Sequence, residues 1–133
     1  MTKLTDLEIK KRLFAHKVYI LSNGKHGIKL NMEKCNLSGS DLSDSNLSYS
    51  NLSGSNLSGS NLSGSNLDYS CWGLSCKTLN VKIDKKIAVQ LLYHTMRAMQ
   101  FVDDKECKEF LRNKSNMKLV NQFHRVEECG EIT

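Results

Sequence analysis

The 133-residue sequence contains no proline and one tryptophan, and aromatic residues make up only 7% of it. Apolar residues reach 39%, which together with the absence of proline indicates a soluble globular protein of one domain. The most apolar run outside the repeats described below covers residues 87–93, far short of the roughly 20 residues that cross a bilayer. The first fourteen residues are charged throughout and do not resemble a secretory signal. We therefore expect a cytoplasmic protein without membrane contact.

Motifs that carry common enzyme chemistry are also missing. The chain has no Gly-rich phosphate-binding loop, no HExxH zinc motif and no acidic pair in a helical frame. Its five cysteines, an odd number, do not suggest the disulfide framework of a secreted domain. We expect neither catalysis nor a cofactor.

Charge is distributed unevenly, although the net charge is only +5. Residues 1–29 carry a net charge of +5, residues 30–76 carry −3 and residues 77–133 carry +3. Basic flanks can contact nucleic acid, but no pattern of aromatic residues with arginine for base stacking accompanies them. Solvated helix faces are the simpler explanation, and nucleic-acid binding is not expected.

What the sequence has in abundance is a leucine at every fifth position. Leucine occupies seven positions from Leu37 to Leu67 without a slip, with Asn or Asp before each one and Ser or Gly around it. A period of five scatters side chains around an α-helix and places them on alternate sides of a strand. All seven leucines can share one interior only if the chain turns once per unit. A flexible Ser/Asn/Gly linker has similar composition but does not require leucine at a fixed spacing.

These units resemble the pentapeptide-repeat family, whose unit reads A/S/C-D/N-L-x-x. The string SNLSG occurs three times in succession over residues 50–64, and the register extends outward to nine units over residues 30–74. In that family four units make one square turn of a right-handed β-helix, with the central residue inside. The resemblance therefore implies a mostly β fold with α caps: a right-handed quadrilateral β-helix of about two coils, flanked by an N-terminal helix and C-terminal helices. The inward residues are expected to be Met32, Leu37, Leu42, Leu47, Leu52, Leu57, Leu62, Leu67 and Trp72.

We expect one domain with three parts. Residues 1–29 form an N-terminal helical cap, residues 30–76 form the repeats, and residues 77–133 form a C-terminal helical cap or oligomerisation region. Thr5 and Glu8 have the spacing of a capping box before a helix that reaches about residue 20.

Helices are also predicted in the C-terminal part. Asp84 is a good N-cap for a helix to about residue 101, and Asp103–Asp104 precede another helix that continues or restarts near residue 116. In the first of these, Ile87, Leu91, His94 and Ala98 share the expected apolar face. Pentapeptide-repeat proteins are often dimers through their C-terminal region, so the resemblance implies a homodimer here.

Two side-chain groups are candidates for a site. Tyr49 and Tyr69 are twenty residues apart, which places them side by side if four units make a turn, either as a shield for the coil edge or as a contact patch for a partner. Zinc is a weaker alternative, since Cys71 and Cys76 have the same spacing as His124 and Cys129. That spacing is looser than in usual zinc sites, and packed thiols are the simpler explanation.

We interpret the sequence as a non-enzymatic protein-interaction module. The candidate contact residues are Tyr49 and Tyr69 on the repeats and Lys10, Lys11 and Arg12 on the basic N-terminal helix. The flanks contain a short helix with the pair His16–Lys17, a Gly-rich corner before the repeats, the string SCW at their end, a helical stretch over Leu91–His94 and a final FHRVEECG. In these features the chain resembles small pentapeptide-repeat proteins encoded by bacteriophages. The resemblance implies a bacterial host protein, such as a defence factor, as the partner that is bound or inhibited.

Three other functions stay open. They are nucleic-acid binding through the basic flanks, a structural role in a phage particle, and DNA mimicry directed at gyrase, as in some longer pentapeptide-repeat proteins. Mimicry requires a long and strongly negative rod, whereas about two coils with a charge of −3 are expected here.

Overall fold

A computed structural model describes residues 2–133. These residues form two compact units, one ending at Ile83 and the other running from Asp84 to Thr133. Five α-helices are present: α1 (Asp6–Leu21) in the first unit, and α2 (Lys85–Met99), α3 (Lys105–Arg112), α4 (Lys114–Val120) and α5 (Val126–Cys129) in the second. A short 3₁₀-helix covers Cys76–Thr78. The expected division into one domain with three parts stays a prediction.

The expected fold class, a mostly β protein built on a right-handed quadrilateral β-helix, is wrong. Residues 2–133 contain no β-strand and no sheet, and α-helices are the main regular element. The repeat units pair only through isolated parallel bridges, for example Asn31 with Asn51 and Asn36 with Asn56. Each unit contributes one bridging residue and then turns, so that pairing never extends over consecutive residues as a strand requires.

The turn in each unit is set by its last residue, which has a positive φ. Gly39, Gly54, Gly59 and Gly64 occupy this position in four units, with φ between 67° and 77°. The Asn or Asp before each leucine supports the turn, because its side-chain oxygen accepts a hydrogen bond from the backbone N–H two residues later. Four such units return the chain to the same side, which explains the spacing of twenty residues in the five bridges between Asn31 and Cys71.

Backbone hydrogen bonds join one turn to the next. The Leu37 N–H donates to Asn56 O and the Leu42 N–H donates to Asn61 O, at 2.8 and 2.9 Å. The pairing continues beyond the last recognisable unit: the Leu57 N–H donates to Lys77 O and the Leu62 N–H donates to Lys82 O. The separation grows from 19 to 20 residues there, because one extra residue lies between Cys71 and Lys77.

Most of the residues expected inside the repeats are buried. Met32 and the seven leucines expose at most 3% of their surface: Leu37, Leu42, Leu47, Leu52, Leu57, Leu62 and Leu67. Trp72, expected to close the far end as an inward residue, is only partly buried. An interior of this kind is stabilised by about 1.5–3 kcal/mol for each fully buried leucine.

The segment before the repeats covers their first turn. The capping box predicted at Thr5 and Glu8 is confirmed, and α1 follows it. Ile9 and His16 are the buried residues of α1. The Leu4 N–H donates to Asn36 O, Arg12 Nη1 donates to Asn31 O at 3.4 Å, and His16 Nε2 lies 2.7 Å from Ser48 O. Three backbone carbonyls of the first turn therefore have partners in this segment.

The second unit is built around Tyr93. Its ring stacks on Phe123 with centroids 4.5 Å apart, and its hydroxyl donates to Gly130 O at 2.6 Å. The N-cap predicted at Asp84 is confirmed, and of the pair Asp103–Asp104 predicted to cap the next helix, Asp104 is the N-cap. The predicted apolar face of α2 is partly wrong, since His94 is exposed while Val89 and Tyr93 are buried. The core consists of Val89, Tyr93, Met96, Val120, Phe123 and Ile132.

Candidate protein-interaction surface

The surface of the repeats carries one stacked aromatic pair. Tyr49 and Tyr69 lie with ring centroids 5.1 Å apart and ring planes inclined by 17°. Their exposed fractions are 49% and 53%, so that about half of each side chain is open to solvent. The Tyr49 N–H donates to Asp68 O at 3.0 Å, which fixes the two backbones at the spacing of adjacent turns. The structure thus places the two predicted tyrosines together in the first unit.

Both tyrosines have a backbone conformation that favours glycine. Their φ angles are 60° and 58°, and the equivalent positions of four other units are glycine. A left-handed conformation costs an L-residue with a side chain roughly 1–2 kcal/mol. Offset stacking of two rings returns about 0.5–1.5 kcal/mol of this. Backbone conformation and stacking taken together therefore make the pair a net cost to stability, which only the partial burial of the two side chains offsets.

The positive-φ residues of units twenty residues apart lie next to each other in successive turns. In every such pair other than Tyr49 and Tyr69, at least one residue is glycine. Lys34 lies next to Gly54, and Asp44 lies next to Gly64. A Cβ added at Gly64 would collide with the Asp44 carboxylate, whereas one added at Gly54 would lie 3.2 Å from Lys34 Cγ. Tyr49 and Tyr69 can both carry a side chain at this position of successive turns because their flat rings stack.

Tyr49 also borders a groove formed with the end of α1. The groove has a volume of about 400 Å³ and is lined by Tyr19, Ile20 and Lys29 as well as by Tyr49. Asn23 and Gly24 complete its rim. The stacked tyrosines are thus continuous with a concave surface that has apolar, aromatic and cationic groups. We call this the tyrosine groove.

A second groove lies between α1 and the segment that enters the repeats. It has a volume of about 380 Å³, and its lining includes Lys11, Arg12, Ile28 and Lys29. Lys29 lines both grooves. We call this second concavity the basic groove.

The three predicted basic contact residues have different surroundings. Lys10 is exposed and close enough to Asp41 to help hold the pKa of that carboxyl low, after the larger effect of its hydrogen bonds from Ser43. Arg12 donates to Asn31 O and therefore also supports the first turn. Lys11 is exposed and lines the basic groove.

Sequence reasoning did not identify the role of His16. Its side chain is fully buried, Nδ1 accepts from the Leu30 N–H at 3.0 Å, and Nε2 faces Ser48 O at 2.7 Å. An accepting Nδ1 requires the neutral ring with its proton on Nε2, which then donates to Ser48 O. His16 therefore joins α1 to both ends of the first turn, and only its periodicity with Ile9 along α1 hinted at burial.

The zinc alternative stays a prediction. Cys71 and Cys76 belong to the first unit, while His124 and Cys129 belong to the second. Within residues 2–133 no three His, Cys, Asp or Glu side chains lie in an arrangement that could hold a metal ion. Cys71 and Cys76 are both exposed rather than packed, contrary to the simpler explanation from sequence.

Comparison with known proteins identifies the repeats. Residues 30–70 match the family model described as pentapeptide repeats, in eight copies. No curated protein matches the chain in sequence. The predicted repeat family is confirmed for this segment, and the phage origin suggested by the flanks stays a prediction.

In the described part of the chain, none of the helices has the length and apolar character needed to span a membrane.

Proposed function

We propose that the first compact unit is a non-enzymatic protein-interaction module and that Tyr49 and Tyr69 form the centre of its contact surface. A pentapeptide-repeat segment is consistent with such a role. The observation that carries the proposal is the placement of two half-exposed tyrosines at positive-φ positions that four other units fill with glycine. Tyrosine is also among the residues that dominate binding energy at protein interfaces.

The alternative, that the two tyrosines only shield the edge of the coil, explains fewer of these observations. Glycine at positions 49 and 69 would satisfy the backbone without strain, as it does at Gly59 above Gly39. Both tyrosines keep about half of their residue surface exposed, so that surface stays available to a partner. The adjoining tyrosine groove offers a concave site for a side chain of that partner.

We propose more specifically that the partner is a bacterial host protein and that the chain is a phage accessory protein acting in the host cytoplasm by binding or inhibiting it. The support is the resemblance of the flanks, from the His16–Lys17 pair to the segment FHRVEECG, to small phage-encoded pentapeptide-repeat proteins. Inhibition by binding requires no catalytic group of the chain.

The second unit is proposed to join two copies of the chain into a homodimer. Phe101 is 89% exposed, and Phe110 and Leu119 are 41% and 38% exposed on helices of the same unit. Large apolar side chains at these levels of exposure favour association when they lie on one surface. The resemblance to pentapeptide-repeat proteins that dimerise through their C-terminal regions supports the same assignment.

The interaction function can be tested by affinity capture from a bacterial lysate at moderate and high salt, with quantitative identification of bound proteins. The tagged chain is compared with the double variant Tyr49→Gly/Tyr69→Gly and with Phe14→Ser, which removes another exposed aromatic residue from the same unit. We expect a stoichiometric protein that survives high salt, is retained by Phe14→Ser and is lost from the double variant. Capture of nucleic acid alone at low salt, or equal capture by all three chains, would contradict the proposal.

A further inference from the structure

The basic groove places cationic side chains next to apolar ones. Lys11, Arg12 and Lys29 border it, and Ile28 stands beside them with 71% of its surface exposed. Neither lysine ammonium takes part in a salt bridge in the part of the chain that the structure describes. The groove therefore presents cationic charge to solvent next to an apolar surface.

The Glu8 carboxylate, which is close enough to Arg12 and Lys11 for their charges to help lower its pKa, is already engaged in the capping box. Glu8 Oε2 accepts from the Thr5 N–H at 2.7 Å and from Thr5 Oγ1 at 3.0 Å. These bonds lower the pKa of Glu8, with smaller contributions from Arg12 and Lys11. The carboxylate is thus fixed at the start of α1 and only partly offsets the charge of the groove.

The floor of the groove is apolar and contains no aromatic ring. Ala15 and Leu30 line it together with Ile28. The volume of about 380 Å³ is suited to one or two aliphatic side chains. Nucleic-acid bases are usually held by stacking on aromatic side chains, which this lining does not offer.

We propose that the basic groove binds an acidic segment of a protein partner, with a large aliphatic side chain against Ile28 and carboxylates beside Lys11 and Lys29. The inference rests on the proposed interaction function and names the chemistry of one part of the partner. Lys29 lines both grooves, so such a segment would continue directly onto the surface that contains Tyr49. Arg12 would hold the same segment while it retains its bond to Asn31 O.

Fluorescence anisotropy of the full chain with a labelled synthetic peptide tests this directly. The probe is an acidic peptide of Glu and Asp with two central leucines, and the comparison peptides replace either the acids by Gln and Asn or the leucines by Ser. We expect the acidic leucine peptide to bind about tenfold more tightly than either comparison peptide, a difference that corresponds to about 1.4 kcal/mol. Equal binding of the three peptides would overturn the inference.

A charge-matched pair of variants locates the site. Lys11→Glu/Lys29→Glu reverses two charges of the groove, and Lys17→Glu/Lys25→Glu reverses two exposed charges of the same unit that line neither groove. We expect the first pair to weaken peptide binding about tenfold, with little change for the second pair at the same net charge. Equal losses would show that only overall charge matters and would overturn the inference, as would stronger binding of a single-stranded oligonucleotide than of the peptide.

Failure of this inference and failure of the interaction function are distinguishable. If the peptide does not bind while capture of a protein still depends on Tyr49 and Tyr69, the basic groove is not the site of an acidic segment, and the interaction function stands. If the peptide binds at Lys11 and Lys29 while the tyrosine variant captures its partner normally, the basic groove rather than the stacked pair forms the contact surface.

Discussion

At the scale of single residues, the serines that begin the repeat units differ in how their hydroxyls are satisfied. Ser60 Oγ donates to Leu57 O at 2.6 Å, and Ser50, Ser55 and Ser65 make the same bond. Ser40 Oγ is buried and has no hydrogen-bond partner among the described residues. A buried hydroxyl without a partner destabilises a fold, whereas one with a partner contributes modestly.

The variants Ser40→Ala and Ser60→Ala should therefore have opposite or clearly unequal effects. We expect Ser60→Ala to lower the free energy of unfolding by about 1 kcal/mol, and Ser40→Ala to leave it unchanged or raise it by up to about 1 kcal/mol. Urea denaturation of both variants measures the difference under the same conditions. Equal destabilisation by the two substitutions would show that Ser40 has a hydrogen bond equivalent to that of Ser60.

Gly27 marks a close approach between the turn after α1 and α1 itself. Its φ is 76°, and a Cβ there would collide with the carbonyl oxygen of Ala15 and the backbone nitrogen of Tyr19. Backbone atoms cannot move aside as the end of a flexible side chain can. We expect Gly27→Ala to cost about 2–4 kcal/mol through overpacking and backbone strain. Gly73→Ala, where nothing lies within 4 Å, is the control and should change the unfolding free energy little.

At the scale of elements, the capping box of α1 makes stability depend on pH. Hydrogen bonds from Thr5 lower the pKa of Glu8 in the folded chain. A lowered folded pKa contributes stability above the unfolded pKa, and this contribution is lost as the pH falls through the folded pKa. We expect Glu8→Gln to reduce the loss of stability on acidification from about pH 5 to pH 3. Thermal unfolding across this range measures the effect, and a pH profile identical to that of the parent chain would contradict it.

Local signals in the sequence predicted the helices well. The N-caps at Thr5, Asp84 and Asp104 are each fixed by one side chain and a nearby backbone N–H, so that a few adjacent residues determine them. Burial within α2 was predicted less well. Tyr93 rather than His94 faces the core because its ring stacks on Phe123 and its hydroxyl donates to Gly130 O. Both partners are distant in sequence.

The repeat period predicted the interior but not the secondary structure. Five-residue spacing places Leu37 and its equivalents inside, whatever the pairing between turns. Formation of a strand requires bridges at successive positions, and the turn at the end of every unit prevents this. In the candidate site, the spacing of twenty residues predicted that Tyr49 and Tyr69 are neighbours. The grooves depend on how α1 packs, which the sequence pattern does not contain.

At the scale of the whole molecule, the proposed homodimer depends on exposed side chains of the second unit. Phe101 and Phe110 lie outside its core and contribute little to folding. We expect Phe101→Ser/Phe110→Ser to shift the chain toward monomer with at most about a 1 kcal/mol change in stability, as for surface substitutions. Sedimentation equilibrium of both chains measures the association. A parent chain that is monomeric at all concentrations, or a variant that dimerises unchanged, would contradict the proposal.

Tyr49 and Tyr69 are proposed to contact a partner rather than to stabilise the fold. The most direct measurement is the free energy of unfolding of the Tyr49→Gly/Tyr69→Gly variant, recorded with a spectroscopic signal that comes from the first unit. Relief of two positive-φ conformations, about 2–4 kcal/mol, is offset by the lost stacking, by the lost burial of about half of each tyrosine and by the greater unfolded-state entropy of glycine. We therefore expect a change of less than about 1 kcal/mol together with loss of the captured partner. A loss of more than about 2 kcal/mol, or capture that is unchanged in the folded variant, would assign the tyrosines to the stability of the repeats instead.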